Sequence, residues 1–369
     1  MAATTTLTDE LSAIEVELTN VDAQLNGLRQ RKRQLLERKE QVTAALTSQA
    51  ANSSQDWEGE SFEWSESVRR HLKATFKLDT FRPMQLSAIN AVLAGHDALL
   101  VMSTGGGKSL CYQLPAVVSS GLTLVISPLI SLMEDQLLAL RRHGFQDAAM
   151  FSQATSKEEV QEIQRRMVLS SGGLRLLYCA PEKLAKSKRF MAKLEKVHSL
   201  GLLKLIAIDE VHCCSQWGHD FRPDYKFLNV LKRQFRGVPI LGLTATATAR
   251  VLQDVQKMLS IPGALGKWMF RAGFNRPNLR YEVRQKATNG EEFLSDLYRL
   301  INERFQDQSG IIYCFSRRES EELAAQLKLR GVKAAPYHAD LSAQRRSKVH
   351  LDWTNGAVSV IVATVAFGE

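Results

Sequence analysis

Apolar positions along the chain follow two different rhythms. Between residues 7 and 46 they recur in alternating steps of four and three: Leu7, Leu11, Ile14, Leu18, Val21, Leu25, Leu28, Leu35, Val42 and Leu46, with two steps lacking at Lys32 and Lys39. That is a heptad seam interrupted by two lysines, on a helix whose other faces carry Glu, Gln, Lys and Arg. It predicts an N-terminal helix over 1–50 that pairs as a coiled coil. A helix laid back on the body of the protein would show the same stripe. The Ser, Asn and Gln content of "TSQAANSSQDWEGES" (47–61) predicts a linker, placed at residues 51–62.

From residue 63 the rhythm changes to short apolar runs separated by helical stretches. The runs are "ALLVMS" (98–103), "LTLVIS" (122–127), "RLLYCA" (175–180), "KLIAID" (204–209) and "PILGLTA" (239–245). A further set, "GIIYCFS" (310–316), "KAAPYHA" (333–339) and "VSVIVAT" (358–364), follows "FNRPNL" (274–279). Runs apolar on both faces, spaced by helices, predict parallel strands with helical crossovers. The fold class expected is α/β, with two parallel-sheet domains over 63–274 and 275–369. The second is expected to hold about four strands and to leave an apolar edge open.

Composition narrows the partners. The chain has 369 residues, 44% hydrophobic and 24% charged, with a formal net charge of +9. This is a globular composition, and the Lys and Arg surplus favours an anionic partner, nucleic acid first, although a basic protein with no polyanion partner has the same balance. Five cysteines, an odd number with no C-x-x-C pair, argue against a disulfide framework. The start lacks the basic and apolar regions of a signal peptide. The longest apolar run, 122–132, is too short for a bilayer and contains Pro128, so no membrane partner is expected.

"VMSTGGGKSL" (101–110) directly follows a predicted buried strand and precedes a predicted helix. Backbone N–H groups of such a glycine turn can surround phosphate oxygens, with the helix N-terminus adding a favourable field. Lys108 would reach the outer phosphates and Ser109 would hold Mg²⁺. The pattern G-x-x-x-x-G-K-[ST] begins with Gly, where this chain has Met102. About a hundred residues on, the strand at 204–209 ends in Asp209 and Glu210. The first is placed to bind Mg²⁺ and the second to orient or deprotonate an attacking water, as in a nucleoside triphosphatase. His212 could pass the nucleotide state to a neighbouring segment. Just beyond lie Trp217, His219, Phe221 and Arg222. Aromatic faces stack on unpaired bases of any identity, and Arg adds stacking or a phosphate contact; the same Trp and Phe could instead pack beneath a loop.

The order of "FRPMQ" (81–85), "TGGGKS" (104–109), "SPLISLMEDQ" (127–136), "YCAPEKL" (178–184), "DEVH" (209–212), "LTATAT" (243–248) and "ATVAFG" (363–368) resembles the superfamily 2 helicases. The loop "CSQWGHDFRPDY" (214–225) narrows the resemblance to their RecQ family. It implies two RecA-like domains with ATP bound between them, Mg²⁺ as cofactor, and 3′-to-5′ movement on single-stranded DNA that unwinds duplex in nuclear repair, recombination or replication. It implies that Gln85, with Arg82 alongside, reads adenine, and that Thr104, Gly105, Gly106, Gly107, Lys108 and Ser109 hold the triphosphate. Residues 127–136 and 180–183 would touch the tracking strand, and Thr244 and Thr246 would couple nucleotide to DNA. In the family, further DNA-contacting residues, an arginine box, a four-cysteine zinc module and a winged helix follow the point where this chain has Glu369. Zinc is therefore not expected here, and without the arginines, which typically contribute on the order of 10³–10⁵ in rate, hydrolysis is expected to be slow. A non-unwinding product that binds ATP and DNA, and the full-length partner through residues 7–46, and an RNA-directed helicase of the same superfamily, are the alternatives.

Overall fold

The structure is a computed structural model that describes residues 14–367 except 16, 19, 26, 29, 33, 36, 37, 39–55, 153, 154, 218–220, 246, 262–267 and 274–277. Of the positions singled out above, His219, Thr246, Leu7, Leu11, Lys39, Val42 and Leu46 lie outside the described residues. The chain divides into two compact units, Met1–Asn275 and Arg276–Glu369.

The first unit is built on seven parallel strands: β1 (Ala98–Val101), β2 (Leu122–Ile126), β3 (Ala148–Phe151), β4 (Leu176–Cys179), β5 (Leu203–Ile208), β6 (Ile240–Thr244) and β7 (Met269–Arg271), in the spatial order β3-β4-β2-β5-β6-β1-β7. The central strands read as unbroken apolar runs because both faces are covered. Leu99, Leu124, Ile206 and Ile240 point to one face, under helices that include Lys188–Ser199 and Ala249–Met258. Leu100, Val125, Leu205 and Leu241 point to the other, under Ser65–Ala74, Gln85–Leu93, Leu110–Val118 and Ile130–Arg142. Each such fully buried aliphatic side chain contributes roughly 1.5–3 kcal/mol. Two strands that no apolar run predicts, β3 and β7, are the edges. They are four and three residues long and carry no β-branched residue, so little in their sequence favours a strand.

Because every strand points the same way, one rim of the sheet gathers the motifs. The glycine turn follows β1, Ser127 follows β2, Ala180 follows β4, Asp209 follows β5, and Thr244 ends β6. Ligands of open parallel sheets bind at this carboxyl rim.

Described residues between 14 and 38 are helical, and the seam residues Ile14, Leu18, Val21, Leu25, Leu28 and Leu35 are exposed. The described part of the expected linker is tied down. The Asn90 amide donates to the Trp57 and Gly59 carbonyls at 2.9 and 3.1 Å, and Trp64 Nε1 donates back to Asn90 Oδ1 at 2.9 Å. Phe62 stacks on both Trp57 and Trp64.

The second unit holds three parallel strands among its described residues, β8 (Gly310–Tyr313), β9 (Ala334–Tyr337) and β10 (Val360–Ala363), in the order β8-β10-β9. The expectation of about four strands is thus one too many for the described residues. The last strand lies in the centre of the sheet, with both neighbours in place. Val360 and Val362 pack under the helices Gly290–Arg299 and Arg317–Leu329. Ile361 and Ala363 face the opposite side, where Trp353 and Phe367 pack. The uncovered apolar surface runs along β8, at Ile311, Tyr313 and Phe315.

Candidate nucleotide and nucleic-acid site

The turn after β1 needs its glycines for different reasons. Gly105 and Gly107 adopt φ of 75° and 90°, where side chains are strained. A Cβ on Gly106 would lie 2.4 Å from Met102 Cγ. Met102, standing where the phosphate-loop pattern has Gly, is buried beneath the loop and fills the space under Gly106. Lys108 Nζ donates to the Met102 carbonyl at 3.2 Å, so the ammonium lies within the loop. Two residues from the preceding helix segment brace the same turn. The Arg82 guanidinium donates to the Gly105 carbonyl, and Gln85 Nε2 donates to the Gly107 carbonyl at 2.9 Å. Gln85 Oε1 accepts the Arg82 N–H at 2.7 Å, so both ends of its amide hold backbone. The two residues expected at the adenine thus sit against the phosphate loop.

Asp209 is buried at the end of β5, its N–H donating to the Ile126 carbonyl at 2.8 Å. Burial pushes its carboxyl up to about 6 and the neighbouring Glu210 adds to this, while the Glu210 N–H, Lys108 and His212 pull it back. The glycine turn after β1 and the acidic pair after β5 lie on the same rim, with β6 between the two strands. Tyr112 is buried in the helix after the turn, and burial first, with Tyr178 and Asp209 adding to it, holds its ionisation well above the usual range. Glu210 takes a left-handed conformation (φ 46°, ψ 47°), a non-glycine strain of about 1–2 kcal/mol that clusters at functional sites. His212 is buried, with Nδ1 3.2 Å from Glu210 Oε2 and 2.9 Å from Thr244 Oγ1. It therefore connects the acidic pair to the end of β6.

No sequence pattern singles out Tyr112 or Gln113, and Tyr178 and Tyr225 lie within "YCAPEKL" and "CSQWGHDFRPDY" without a role of their own there. Gln113 donates to Tyr178 Oη at 3.1 Å and to Gln136 Oε1 at 2.9 Å, and Tyr225 Oη donates to the Asp209 carbonyl at 3.1 Å. They form a polar floor behind the rim, joined across long sequence separations.

The aromatic loop leaves the acidic pair through the 3₁₀ turn Val211–Cys214. Trp217 is exposed, and Phe221 is half-buried with Lys226 Nζ 5.3 Å from its ring centre. Arg222 Nη1 donates to the Pro128 carbonyl at 3.2 Å, pinning the loop to the "SPLISL" segment. Ser215 Oγ donates to Asp254 Oδ2 at 2.6 Å. Neither His219 nor Thr246 is described.

Ser109 and Asp209 supply a hydroxyl and a carboxylate, hard oxygen donors of the kind Mg²⁺ takes when phosphates and water complete its shell. Among the described residues no group of three or more His, Cys, Asp and Glu could hold a metal ion by itself, and no helix is long and apolar enough to cross a membrane.

A glycine phosphate loop and strand-end carboxylates at the carboxyl rim of a doubly wound parallel sheet define a P-loop nucleoside-triphosphate-binding protein. The profile of the DEAD/DEAH box helicases matches residues 82–255, and that of the helicase conserved C-terminal domain matches 292–369. An ATP-dependent DNA helicase Q1 of Rattus norvegicus is 50% identical over 100% of this chain and 60% of its own length. An ATP-dependent DNA helicase Q-like 2 of Arabidopsis thaliana is 44% identical over 98% of this chain and 52% of its own. The crystal structure of the DUF1998 helicase MrfA bound to DNA superposes with a TM-score of 0.61 at 18% identity, covering 81% of this chain and 44% of that one, a likeness of fold. The chain belongs to the DEAD/DEAH-box helicases, within their RecQ group, and spans about three fifths or less of the curated relatives' lengths.

Proposed function

We propose that this chain is the motor portion of an ATP-dependent RecQ-type DNA helicase, acting in the nucleus, that couples ATP hydrolysis to 3′-to-5′ movement on single-stranded DNA and to duplex unwinding. The observation that supports this reading is the sheet order, in which the glycine turn after β1 and Asp209–Glu210 after β5 lie on one carboxyl rim with only β6 between their strands. Lys108 turns from the Met102 carbonyl to the outer phosphates. Ser109 and Asp209 would hold Mg²⁺, which would supply positive charge against the phosphates. Glu210 orients and deprotonates the attacking water. His212, shared by Glu210 and Thr244, registers whether that carboxylate is engaged. Trp217 stacks on an unpaired base, and Arg222 holds the loop to the segment after β2, which follows the strand. Arg82 and Gln85 keep the glycine turn in shape and lie where adenine recognition would begin.

The test is ATP turnover with and without single-stranded DNA. Trp217→Ala is expected to leave mant-ATP binding intact while oligo-dT affinity falls about tenfold, since a stacked base contributes roughly 1–3 kcal/mol. Undiminished DNA-stimulated turnover in this variant would remove the sensor role. Matched DNA and RNA strands in competition separate this reading from an RNA-directed one. A strand-separation assay on the 369-residue chain, beside a longer relative, separates a motor from a non-unwinding binder.

A second reading rests on the bare seam of the N-terminal helix. Leu18, Leu25 and Leu28 are exposed at heptad spacing, which favours pairing with another copy of the chain. Leu18→Lys combined with Leu25→Lys is expected to lower the sedimentation mass to that of a monomer. A parent chain that already sediments as a monomer at tens of micromolar would rule the pairing out.

A further inference from the structure

Arg250 and Asp254 lie one turn apart on the helix Ala249–Met258, and both reach the aromatic loop. The guanidinium carbon of Arg250 sits 3.3 Å from the centre of the Trp217 ring. Asp254 accepts the Ser215 hydroxyl at 2.6 Å, and the same hydroxyl oxygen accepts the Trp217 N–H at 3.2 Å. Residue 217 is thus held twice by one helix, through its ring and through its backbone. Ser215 is fully buried, so the backbone anchor is shielded from water, whereas Trp217 is 60% exposed and keeps much of its surface free.

That helix starts five residues after Thr244, whose hydroxyl meets His212 Nδ1 at 2.9 Å. The loop itself starts from His212 through the turn Val211–Cys214. Two routes therefore run from Trp217 to the His212–Glu210 pair, one along the loop and one along the helix. A planar guanidinium covers one face of an indole and leaves the opposite face for a base. Fixing the ring beforehand lowers the ordering needed when the base arrives.

We propose that Arg250 is a positioning residue for DNA coupling. It stacks behind Trp217, turns the open face of the ring toward an unpaired base, and joins base stacking to the helix that leads back to Thr244 and His212. This rests on the reading of Trp217 as a base-stacking contact and adds a residue and a route to it.

The experiment measures two quantities in the parent chain and in Arg250→Ala, Arg250→Lys and Trp217→Ala: oligo-dT affinity by anisotropy, and the factor by which saturating oligo-dT changes mant-ATP affinity. The second is a coupling between sites and needs no turnover. Arg250→Ala is expected to weaken oligo-dT binding about three- to fivefold and to bring the coupling factor toward one. Arg250→Lys keeps the charge without the plane and is expected to behave as Ala does. Restoration of both quantities by Lys would make Arg250 a simple charge facing phosphate and overturn the stacking role. Parent behaviour in both Arg250 variants, with Trp217→Ala impaired, would overturn this proposal alone. Parent behaviour in Trp217→Ala would overturn the reading of the loop beneath it.

Discussion

Lys108→Ala is expected to weaken mant-ATP binding about a hundredfold while leaving the fold unchanged. A charge-assisted hydrogen bond contributes roughly 1.5–3 kcal/mol, so losing one or two to the outer phosphates removes one to several factors of ten. The side chain contributes little to the core: it is half-buried, and its hydrogen bond is to the Met102 carbonyl of its own loop. The melting midpoint without nucleotide should therefore stay near the parent's. The substitution also has an effect at a distance. Lys108 is among the groups that pull the Asp209 carboxyl down from the value burial sets, so Ala should let it rise further. Titration with mant-ATP and thermal melting check the two halves separately. Binding within about threefold of the parent would mean that the triphosphate is held elsewhere, and the motor reading would fail with it.

What the sequence disclosed follows from what each element must bury. β1, β2, β5 and β6 are covered on both faces, so their apolar runs announce them, and the glycine turn is legible because its backbone has steric needs few other residues meet. β3 and β7 gave no such signal, since a sheet edge needs neither length nor an unbroken apolar run. The acidic pair was legible because it ends the apolar run of β5. Their supports were not. Gln113 meets Tyr178 across 65 positions, and Ser215 meets Asp254 across 39, contacts that only the crossover order creates. Asn90 in mid-helix looks like a misplaced polar residue until the chain at 57–64 folds over it. In the second unit an open apolar edge was expected, but not its location. Placing β10 between β8 and β9 depends on the order of crossovers, and that order leaves the outer face of β8 bare.

Asp209→Asn should make the protein more stable and nearly inactive at once. The carboxyl ionises at about 6 in the fold against an ordinary value of 3.8, chiefly because it is buried. A carboxyl raised in this way favours the fold fully below about pH 4, and that contribution is lost as pH rises through about 6. Above that range the ionised group opposes folding by about 3 kcal/mol, an upper figure for a group beside another carboxylate. Asn stays neutral at every pH and keeps Oδ1 for the Glu210 N–H, a 3.0 Å bond in the parent. In chelator, without nucleotide, the melting midpoint of Asp209→Asn should exceed the parent's by several degrees at about pH 8, with the gap closing as pH falls toward about 4. Turnover with Mg²⁺ and ATP should fall on the order of a hundredfold or more, because the amide is a weaker ligand for a hard cation. A gap in melting midpoint that does not change with pH would show that Asp209 is not held against ionisation in the fold. If the gap does follow pH, the fold holds Asp209 against ionisation, and stability is given up at the position that would help to hold Mg²⁺.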